Sequence, residues 1–399
     1  QYGPYFTPKH KTEWGDALNF DNAYSDHVRN FFIENALYWL NNFHIDALRL
    51  DAVHSIYDMS AKHFLSELKE RVDQFIKKDG RERYIIAESD MNDVKIINEF
   101  DKGGYNLDAQ WSDDFHHSVH SYLTGERDGY YEDFGDASHI KKALKETFVY
   151  SGNYSSYRKR KHGNSAEDSE LFKFVICIQN HDQVGNRAFG NRLSGLIDFE
   201  KLKLAAGLML LSPYIPLLFM GEEYAEEAPF LYFINHLDKD LIESVRKGRK
   251  EEFRSFRWGD EIPDTQDEET FLKSKLNLEL KNKSTGNILF NFYKRLIEIR
   301  KQHAFTHTNR DGLDVKLINN DKVIIMKQSN VLGNTIACFN LADEDLNINL
   351  RLEGSWKKII ESSSERWCGQ GDVSPAEITG ESTLQVNRYS FILFGKGKL

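Results

Sequence analysis

The chain has 399 residues, of which 40% are hydrophobic and 13% aromatic. A single hydrophobic core stops growing at roughly 250–300 residues, so this length predicts two domains. The formal net charge is −10 and there is no extended basic block, which argues against a nucleic-acid partner. The longest apolar stretch, residues 204–220, is broken by Pro213 and Pro216 and falls short of the ~20 residues of a transmembrane helix, so we expect no membrane partner.

The cysteines are few and far apart. They are Cys177, Cys338 and Cys368. Their number is odd and they lack the spacing of a metal site, so we expect reduced thiols and predict a cytoplasmic protein. We expect no signal peptide at the start of this sequence.

The first strong pattern is a helix followed by a strand that ends on an ion pair. Residues 26–43 carry an apolar stripe at helical spacing. The apolar run over residues 45–50 then predicts a strand, and Arg49 and Asp51, two residues apart, share one of its faces. An arginine beside a carboxylate keeps it ionised and oriented, as a nucleophile requires; a structural ion pair is the alternative.

Two further strand-like runs also end near an acid. One ends on Glu88 and the other leads to Asp182. Between Asp51 and Glu88 a helix is predicted over residues 60–78, with Ser60 as its N-cap. Strand, helix and strand make a βαβ unit, and in a βα-barrel the carboxyl ends of the strands form the active face. Three acids at that face predict a catalytic site.

Residues 105–111 are a further strand candidate, and the helix after it is rich in histidine. Its histidines are His116, His117 and His120. A metal site is one interpretation, but no acid spacing supports it strongly, so a wall of the substrate site is preferred. Trp111 and Asp114 lie beside the cluster and are further candidates for substrate contacts.

The next stretch, residues 125–163, is predicted to be a long loop. It is rich in tyrosine and phenylalanine, and such side chains in βα loops can border a substrate cleft. Its basic run, residues 158–161, is interpreted as a solvated surface.

Another loop follows a predicted helix over residues 204–211 and a strand over residues 214–220. It begins with Glu222 and Glu223, which are either contacts for substrate hydroxyls or surface charges. The polar residues 259–283 are predicted to cross the surface, and residues 287–303 form the last helix of the barrel.

Beyond that helix the apolar period becomes strand-like. The runs are residues 315–318, 322–327, 335–341, 346–352, 356–360 and 389–394. Short runs separated by Gly, Asn and Asp are typical of a β-sandwich. The predicted domains are therefore residues 1–305, an α/β barrel, and residues 306–399, an all-β sandwich.

Three segments resemble signature regions of the α-amylase family of glycoside hydrolases. They are Arg49-Leu50-Asp51-Ala52-Val53-His54, Ala87-Glu88-Ser89-Asp90 and Asn180-His181-Asp182. Their extensions, through Arg187 in the third segment and with Glu222-Glu223 in a fourth, resemble the members of the family that release trehalose. The resemblance runs through nearly the whole chain.

The resemblance implies a fold and a reaction. The fold is a (β/α)8 TIM-type barrel followed by the β-sandwich. The reaction is retaining hydrolysis of the α-1,4-glucosidic bond next to the terminal α,α-trehalose unit of malto-oligosyltrehalose, without a cofactor or metal. A glucan branching enzyme or an amylase is the alternative within the family. A carbohydrate-binding scaffold without activity would not need all three acids.

The resemblance also implies roles for individual residues. Asp51 is the nucleophile, Glu88 the general acid/base and Asp182 the stabiliser of the transition state. A retaining enzyme places two carboxyl groups about 5–5.5 Å apart, and the one in the less polar site stays protonated. Substrate-binding residues are Arg49, His54, Trp111, Asp114, His117, His181, Arg187, Glu222 and Glu223.

The strand count differs from that of a complete barrel. Five parallel strands are predicted, whereas a closed barrel of this type needs eight. The family's first signature region is absent from this sequence. We therefore expect a partial barrel that lacks its first strands, and we expect the upstream part of the same polypeptide to complete it.

Overall fold

The computed structural model describes residues 3–12, 15–252, 262–303 and 305–396. The chain forms two compact units. The first comprises Gln1–Asp113 and Tyr150–Val175, and the second comprises Asp114–Val149 and Ile176–Leu399.

The regular elements are numbered in chain order. The helices of the described ranges are α1 (Ser25–Asn42), α2 (Phe64–Asp79), α3 (Asp113–Thr124), α4 (Ala137–Glu146), α5 (His181–Gly185), α6 (Phe199–Leu210), α7 (Lys239–Glu252), α8 (Glu268–Lys273) and α9 (Ser284–Gln302). The strands are β1 (Phe6–Thr12), β2 (Gly15–Leu18), β3 (Ala47–Leu50), β4 (Tyr84–Ala87), β5 (Ala109–Trp111), β6 (Tyr154–Ser155), β7 (Arg160–Lys161), β8 (Phe174–Ile176), β9 (Ile215–Pro216), β10 (Leu313–Ile318), β11 (Val323–Asn330), β12 (Gly333–Asn340), β13 (Leu346–Glu361), β14 (Glu377–Val386) and β15 (Phe391–Lys396).

The first unit is built on a parallel sheet. Strands β3, β4, β5 and β8 neighbour one another in that order, and the register places Leu48 opposite Ile85. The predicted βαβ unit is therefore confirmed. Asp51 and Glu88 follow directly after the carboxyl ends of two neighbouring strands. β3 lies at the edge of the sheet that the described residues form.

The second unit contains the end of β8 and the short strand β9. Ile176 closes β8, and its carbonyl accepts a hydrogen bond from the Leu217 N–H at 2.8 Å. β9 has two residues, whereas a strand was predicted over residues 214–220. Pro216 lies within the predicted strand and has no N–H to donate to a strand ladder, which limits the pairing of this segment.

Helix α2 begins later than predicted. It starts at Phe64, and His63 is its N-cap, accepting the Leu65 N–H on Nδ1 at 3.2 Å. Asp58 accepts the N–H groups of both Ser60 and Phe64, at 2.8 and 2.6 Å. Ser60 therefore lies in a turn that Asp58 holds in place before the helix. The predicted helices around residues 26–43, 204–211 and 287–303 are present as α1, α6 and α9.

The predicted loop over residues 125–163 contains regular structure. Helix α4 begins with a capping box formed by Asp136 and His139, and β6 and β7 form a short hairpin. The aromatic side chains divide by exposure. Tyr131, Phe134 and Tyr150 are buried, whereas Tyr154 and Tyr157 are exposed. Tyr131, Phe134 and Tyr150 therefore pack in the protein interior.

The C-terminal strands form one antiparallel sheet. Their order is β10-β11-β12-β15-β13-β14, whereas a sandwich of two sheets was predicted. The difference arises at β13, one strand of 16 residues where two were predicted. β13 pairs with β14 on both sides of a register shift between Leu352 and Ser355, and its last residues pair with β15. β14 was not predicted, because its centre, residues 380–383, is polar.

One apolar cluster contains buried residues from several strands of this sheet. It includes Val323, Ile325, Ile336, Ile348, Trp356, Leu384 and Phe394. All three cysteines are free thiols. Among the described helices, none combines the length and the apolar character that crossing a membrane would require.

Candidate active site

Asp51 lies immediately after β3 and is held by the arginine two residues before it. Arg49 donates from Nη1 to Asp51 Oδ1 at 2.7 Å. The Asp51 side chain is nevertheless 77% exposed. A carboxylate that a cation orients on one side and solvent can reach on the other has the arrangement that a nucleophile needs.

Glu88 lies one strand away in a more enclosed position. Its side chain is 14% exposed, and Oε2 accepts the Ala52 N–H at 2.5 Å. Arg49 Nη2 lies 3.8 Å from the same oxygen. Burial raises the pKa of Glu88, and this outweighs the lowering by the Ala52 N–H and by Arg49. The enclosed position thus extends the pH range over which Glu88 keeps its proton, as suits a general acid.

The turn between the two acids has an unusual backbone. Ala52 has a φ of 43°, which is uncommon for a residue other than glycine. In this conformation the Ala52 N–H donates to the Glu88 side chain, while the Val53 N–H donates to the Glu88 carbonyl at 3.1 Å. The chain after Asp51 is thus bound directly to Glu88.

Trp111 stacks against the guanidinium of Arg49. It is the last residue of β5, within the strand predicted over residues 105–111, and it is buried. The Arg49 guanidinium carbon lies 4.3 Å from the centroid of its ring. Stacking on an aromatic face fixes a guanidinium while leaving its N–H groups free to bind carboxylates.

His54 lies in the turn after Ala52 and faces the loop that carries Glu88. Its Nδ1 is 3.8 Å from Asp90 Oδ1. Asp90 also accepts a hydrogen bond from Arg158 Nη1 at 2.9 Å, and His162 Nε2 lies 2.8 Å from its carbonyl oxygen. The interpretation of Arg158 as part of a solvated face is therefore wrong, because the carboxylate of Asp90 holds it.

Asp182 and His181 begin the short helix α5 in the second unit. Asn180 caps this helix, its Oδ1 accepting the N–H groups of Asp182 and Gln183 at 2.9 and 3.0 Å. The side chains of His181 and Asp182 are 48% and 45% exposed, and His181 Nε2 lies 3.4 Å from Asp182 Oδ2. The cap was overlooked, although an asparagine just before a helix is a recognised signal.

Four further candidates of the second unit are buried. They are Asp114, His117, Arg187 and Glu222. Asp114 Oδ2 accepts the Val149 N–H at 2.6 Å. The His117 ring packs against Tyr130, with ring centroids 4.9 Å apart.

Arg187 is part of a buried charged network. Its two terminal nitrogens donate to the two oxygens of Glu126 at 2.8 and 2.7 Å. Glu126 Oε2 is also 2.8 Å from His120 Nε2. Burial lowers the pKa of His116 and His120, so both favour the neutral form. In the described ranges, no three His, Cys, Asp or Glu side chains are grouped to hold a metal ion.

The two glutamates after β9 differ in environment. Burial, with a smaller contribution from Glu223, raises the pKa of Glu222 well above its usual range. Glu223 is partly exposed, and its Oε2 accepts the Gly221 N–H at 3.0 Å. The surface-charge alternative therefore does not apply to Glu222.

Comparison with known proteins places the chain in a family. Residues 12–309 match the catalytic domain of alpha amylase. The chain belongs to the α-amylase family. A crystal structure from Salmonella typhimurium, assigned to the alpha amylases, superposes with a TM-score of 0.84 at 33% identity, over 98% of this chain and 64% of that one. The fold is accordingly of the TIM-barrel type with a C-terminal β-sheet domain.

Several curated members of the α-amylase family are similar in sequence. The malto-oligosyltrehalose trehalohydrolase of Saccharolobus solfataricus is 50% identical over 302 residues, which are 76% of this chain and 51% of that protein. The enzyme of the same name from Arthrobacter ramosus is 43% identical, over 75% of this chain and 53% of that protein. The chain thus spans about half the length of these relatives.

Proposed function

We propose that the complete protein is a retaining glycoside hydrolase that releases trehalose from malto-oligosyltrehalose. It cleaves the α-1,4-glucosidic bond next to the terminal α,α-trehalose unit. The observation that carries the proposal is the contrast between two neighbouring carboxyl groups. Glu88 is enclosed and has a raised pKa, whereas Asp51 is exposed and bound by Arg49. Such a pair can divide the roles of acid and nucleophile.

In the first step, an oxygen of Asp51 forms a bond to the anomeric carbon of the glucan. The bond to the trehalose oxygen breaks, and Glu88 gives its proton to that oxygen. In the second step, Glu88 takes a proton from water, the water oxygen bonds to the anomeric carbon, and Asp51 is released. Asp182 stabilises positive charge on the sugar ring, and His181 donates a hydrogen bond to a sugar hydroxyl.

The roles of the remaining candidates in substrate binding are proposed according to their exposure to solvent. Arg49, His54 and Glu223 are partly exposed and are proposed to contact sugar hydroxyls. The buried candidates are proposed to shape the site by packing. They are Trp111, Asp114, His117, Arg187 and Glu222. The names of the curated relatives support trehalose as the product.

We further propose that the upstream part of the polypeptide completes the barrel. Two observations in the first unit support this proposal. β3 lies at the edge of its sheet, and helix α1 presents large exposed aromatic side chains. They are Phe31, Tyr38 and Trp39. Unpaired edges and apolar patches of this kind are covered in stable proteins.

The test uses the complete protein with two substrates of equal glucose number, malto-oligosyltrehalose and plain maltodextrin. Rapid release of trehalose from the first, with slow cleavage of the second, is the expected result. Equal cleavage of both would favour an amylase. New α-1,6 branches would favour a branching enzyme. No reaction with either substrate, from a protein that binds both, would favour a binding scaffold.

A further inference from the structure

The helix that carries Asp182 is too short to be stable alone. α5 has five residues, and an isolated helix of that length does not form in water. Asn180 binds its first N–H groups, so its beginning is fixed. Its end is closed by the Asn186 N–H, which donates to the Asp182 carbonyl at 2.8 Å. The position of Asp182 therefore depends on Asn180 at one end and on Gly185 and Asn186 at the other.

Arg249 binds that second end. Its Nη2 donates to the Gly185 carbonyl at 3.1 Å, and its Nη1 to Asn186 Oδ1 at 3.4 Å. The last carbonyls of a helix lack partners within it, and a cation there also interacts favourably with the helix dipole. Arg249 supplies both the donors and the charge.

Arg249 is itself fixed within the second unit. It lies in the last turn of α7, and its guanidinium carbon is 4.7 Å from the centroid of the Tyr232 ring. One turn earlier on the same helix, Arg246 forms a two-point pair with Asp264 at 2.9 and 2.7 Å. Arg246 is directed to Asp264, whereas Arg249 is directed to the end of α5. The helix thus offers a pair of arginines with different partners.

We propose that Arg249 is a positioning residue that holds Asp182 in place for catalysis through Gly185 and Asn186. This inference rests on the proposed role of Asp182. A charged group that stabilises a transition state must be held closely, since displacements near 1 Å can lower catalysis about 10²-fold. As a positioning residue, Arg249 acts without touching the substrate. Its effect is to limit where the first turn of α5 can lie.

The decisive experiment compares Arg249→Met with Arg246→Met in the complete protein. Arg249→Met is expected to lower kcat about 10- to 100-fold with KM changed by less than about twofold, because the loss falls on the transition state. Arg246→Met should retain kcat and KM. Arg249→Lys, which keeps the charge without the planar fork, should recover part of the lost kcat.

A second readout separates positioning from general loosening of the fold. A cationic iminosugar resembles the charged sugar ring, so its inhibition constant should rise by the same factor as kcat/KM falls across the Met, Gln and Lys variants. Binding of maltotriose should stay constant. If Arg249→Met does not fold, Arg249→Gln decides the question by the same two measurements.

Each outcome has a distinct meaning. Equal kcat values for Arg249→Met and Arg246→Met, or inhibition constants for the iminosugar that stay constant, would overturn the inference. Asp182→Asn tests the underlying role by itself. If Asp182→Asn kept full activity, the proposed function of Asp182 would be wrong. If Asp182→Asn were inactive while Arg249→Met was normal, only the role of Arg249 would be lost.

Discussion

The backbone N–H of Ala52 donates to Glu88 Oε2 at 2.5 Å, so the residue after the proposed nucleophile is bound to the proposed acid. This bond stabilises the charged form of Glu88, while burial stabilises the neutral form. The proposed reaction needs both forms, because Glu88 gives a proton in the first step and takes one in the second. The hydrogen bond and the burial thus act on the same proton in opposite directions.

The role of Asp51 predicts a loss of turnover without a loss of binding. Asp51→Asn keeps the shape of the side chain but removes the nucleophilic charge, so kcat should fall by about 10³-fold or more. The dissociation constant for malto-oligosyltrehalose, measured by calorimetry on the inactive variant, should change little. Asp46→Asn is the matched control, since Asp46 is exposed and immediately precedes β3. Normal turnover by Asp51→Asn would exclude the nucleophilic role.

The role of Glu88 predicts a dependence on the leaving group. Glu88→Gln cannot protonate the glycosidic oxygen, so hydrolysis of the natural substrate should fall about 10²- to 10⁴-fold. A nitrophenyl maltooligoside has a leaving group that needs little protonation, and the loss in release of nitrophenol should be much smaller. Glu82→Gln, at an exposed position before β4, serves as the control. Equal losses with both substrates would show that Glu88 has a structural role instead.

The raised pKa of Glu88 predicts the alkaline limb of the pH profile. The acid must be protonated to act, so kcat/KM should decrease as the pH rises through the pKa of Glu88, which burial raises above that of a solvated glutamate. Arg49 lowers this pKa, so Arg49→Met should move the alkaline limb to higher pH in addition to lowering the rate. The measurement is kcat/KM against pH for both proteins. A limb that stayed in place would mean that another group controls it.

The sequence predicted those parts of the site that depend on local patterns. Arg49, Asp51 and Glu88 could be found because each lies at the end of a short apolar run, and a parallel sheet brings such ends to one edge. The helical period likewise gave α1 and α9. The α-amylase family itself was recognised from three short segments around the acids.

The remaining features depend on contacts between distant residues. Arg187 was predicted to bind substrate, but it pairs with Glu126, 61 residues away. Arg158 pairs with Asp90, 68 residues away, and nothing in its basic neighbourhood indicates this. A local pattern specifies neither pairing, because the partner of each arginine is determined by how the elements pack. The burial of Glu222 was equally hidden, since two adjacent glutamates resemble an exposed turn.

Glu222 leads to a prediction about stability. Burial raises its pKa in the folded chain well above the value in the unfolded chain, so the folded state retains a proton that the unfolded state releases. The free energy of unfolding should therefore decrease as the pH rises from the ordinary carboxyl range towards the pKa of the folded state. Glu222→Gln has no proton to lose, so this decrease should be smaller in the variant.

The measurement is the Tm of both proteins between pH 5 and pH 9. This range begins about one unit above the pKa of a carboxyl group in the unfolded chain. Glu223→Gln is the control for the loss of a carboxylate at this turn. If Glu222→Gln and the unchanged protein lost stability in parallel, Glu222 would be charged in the folded state, and its assignment as a buried neutral group would be wrong.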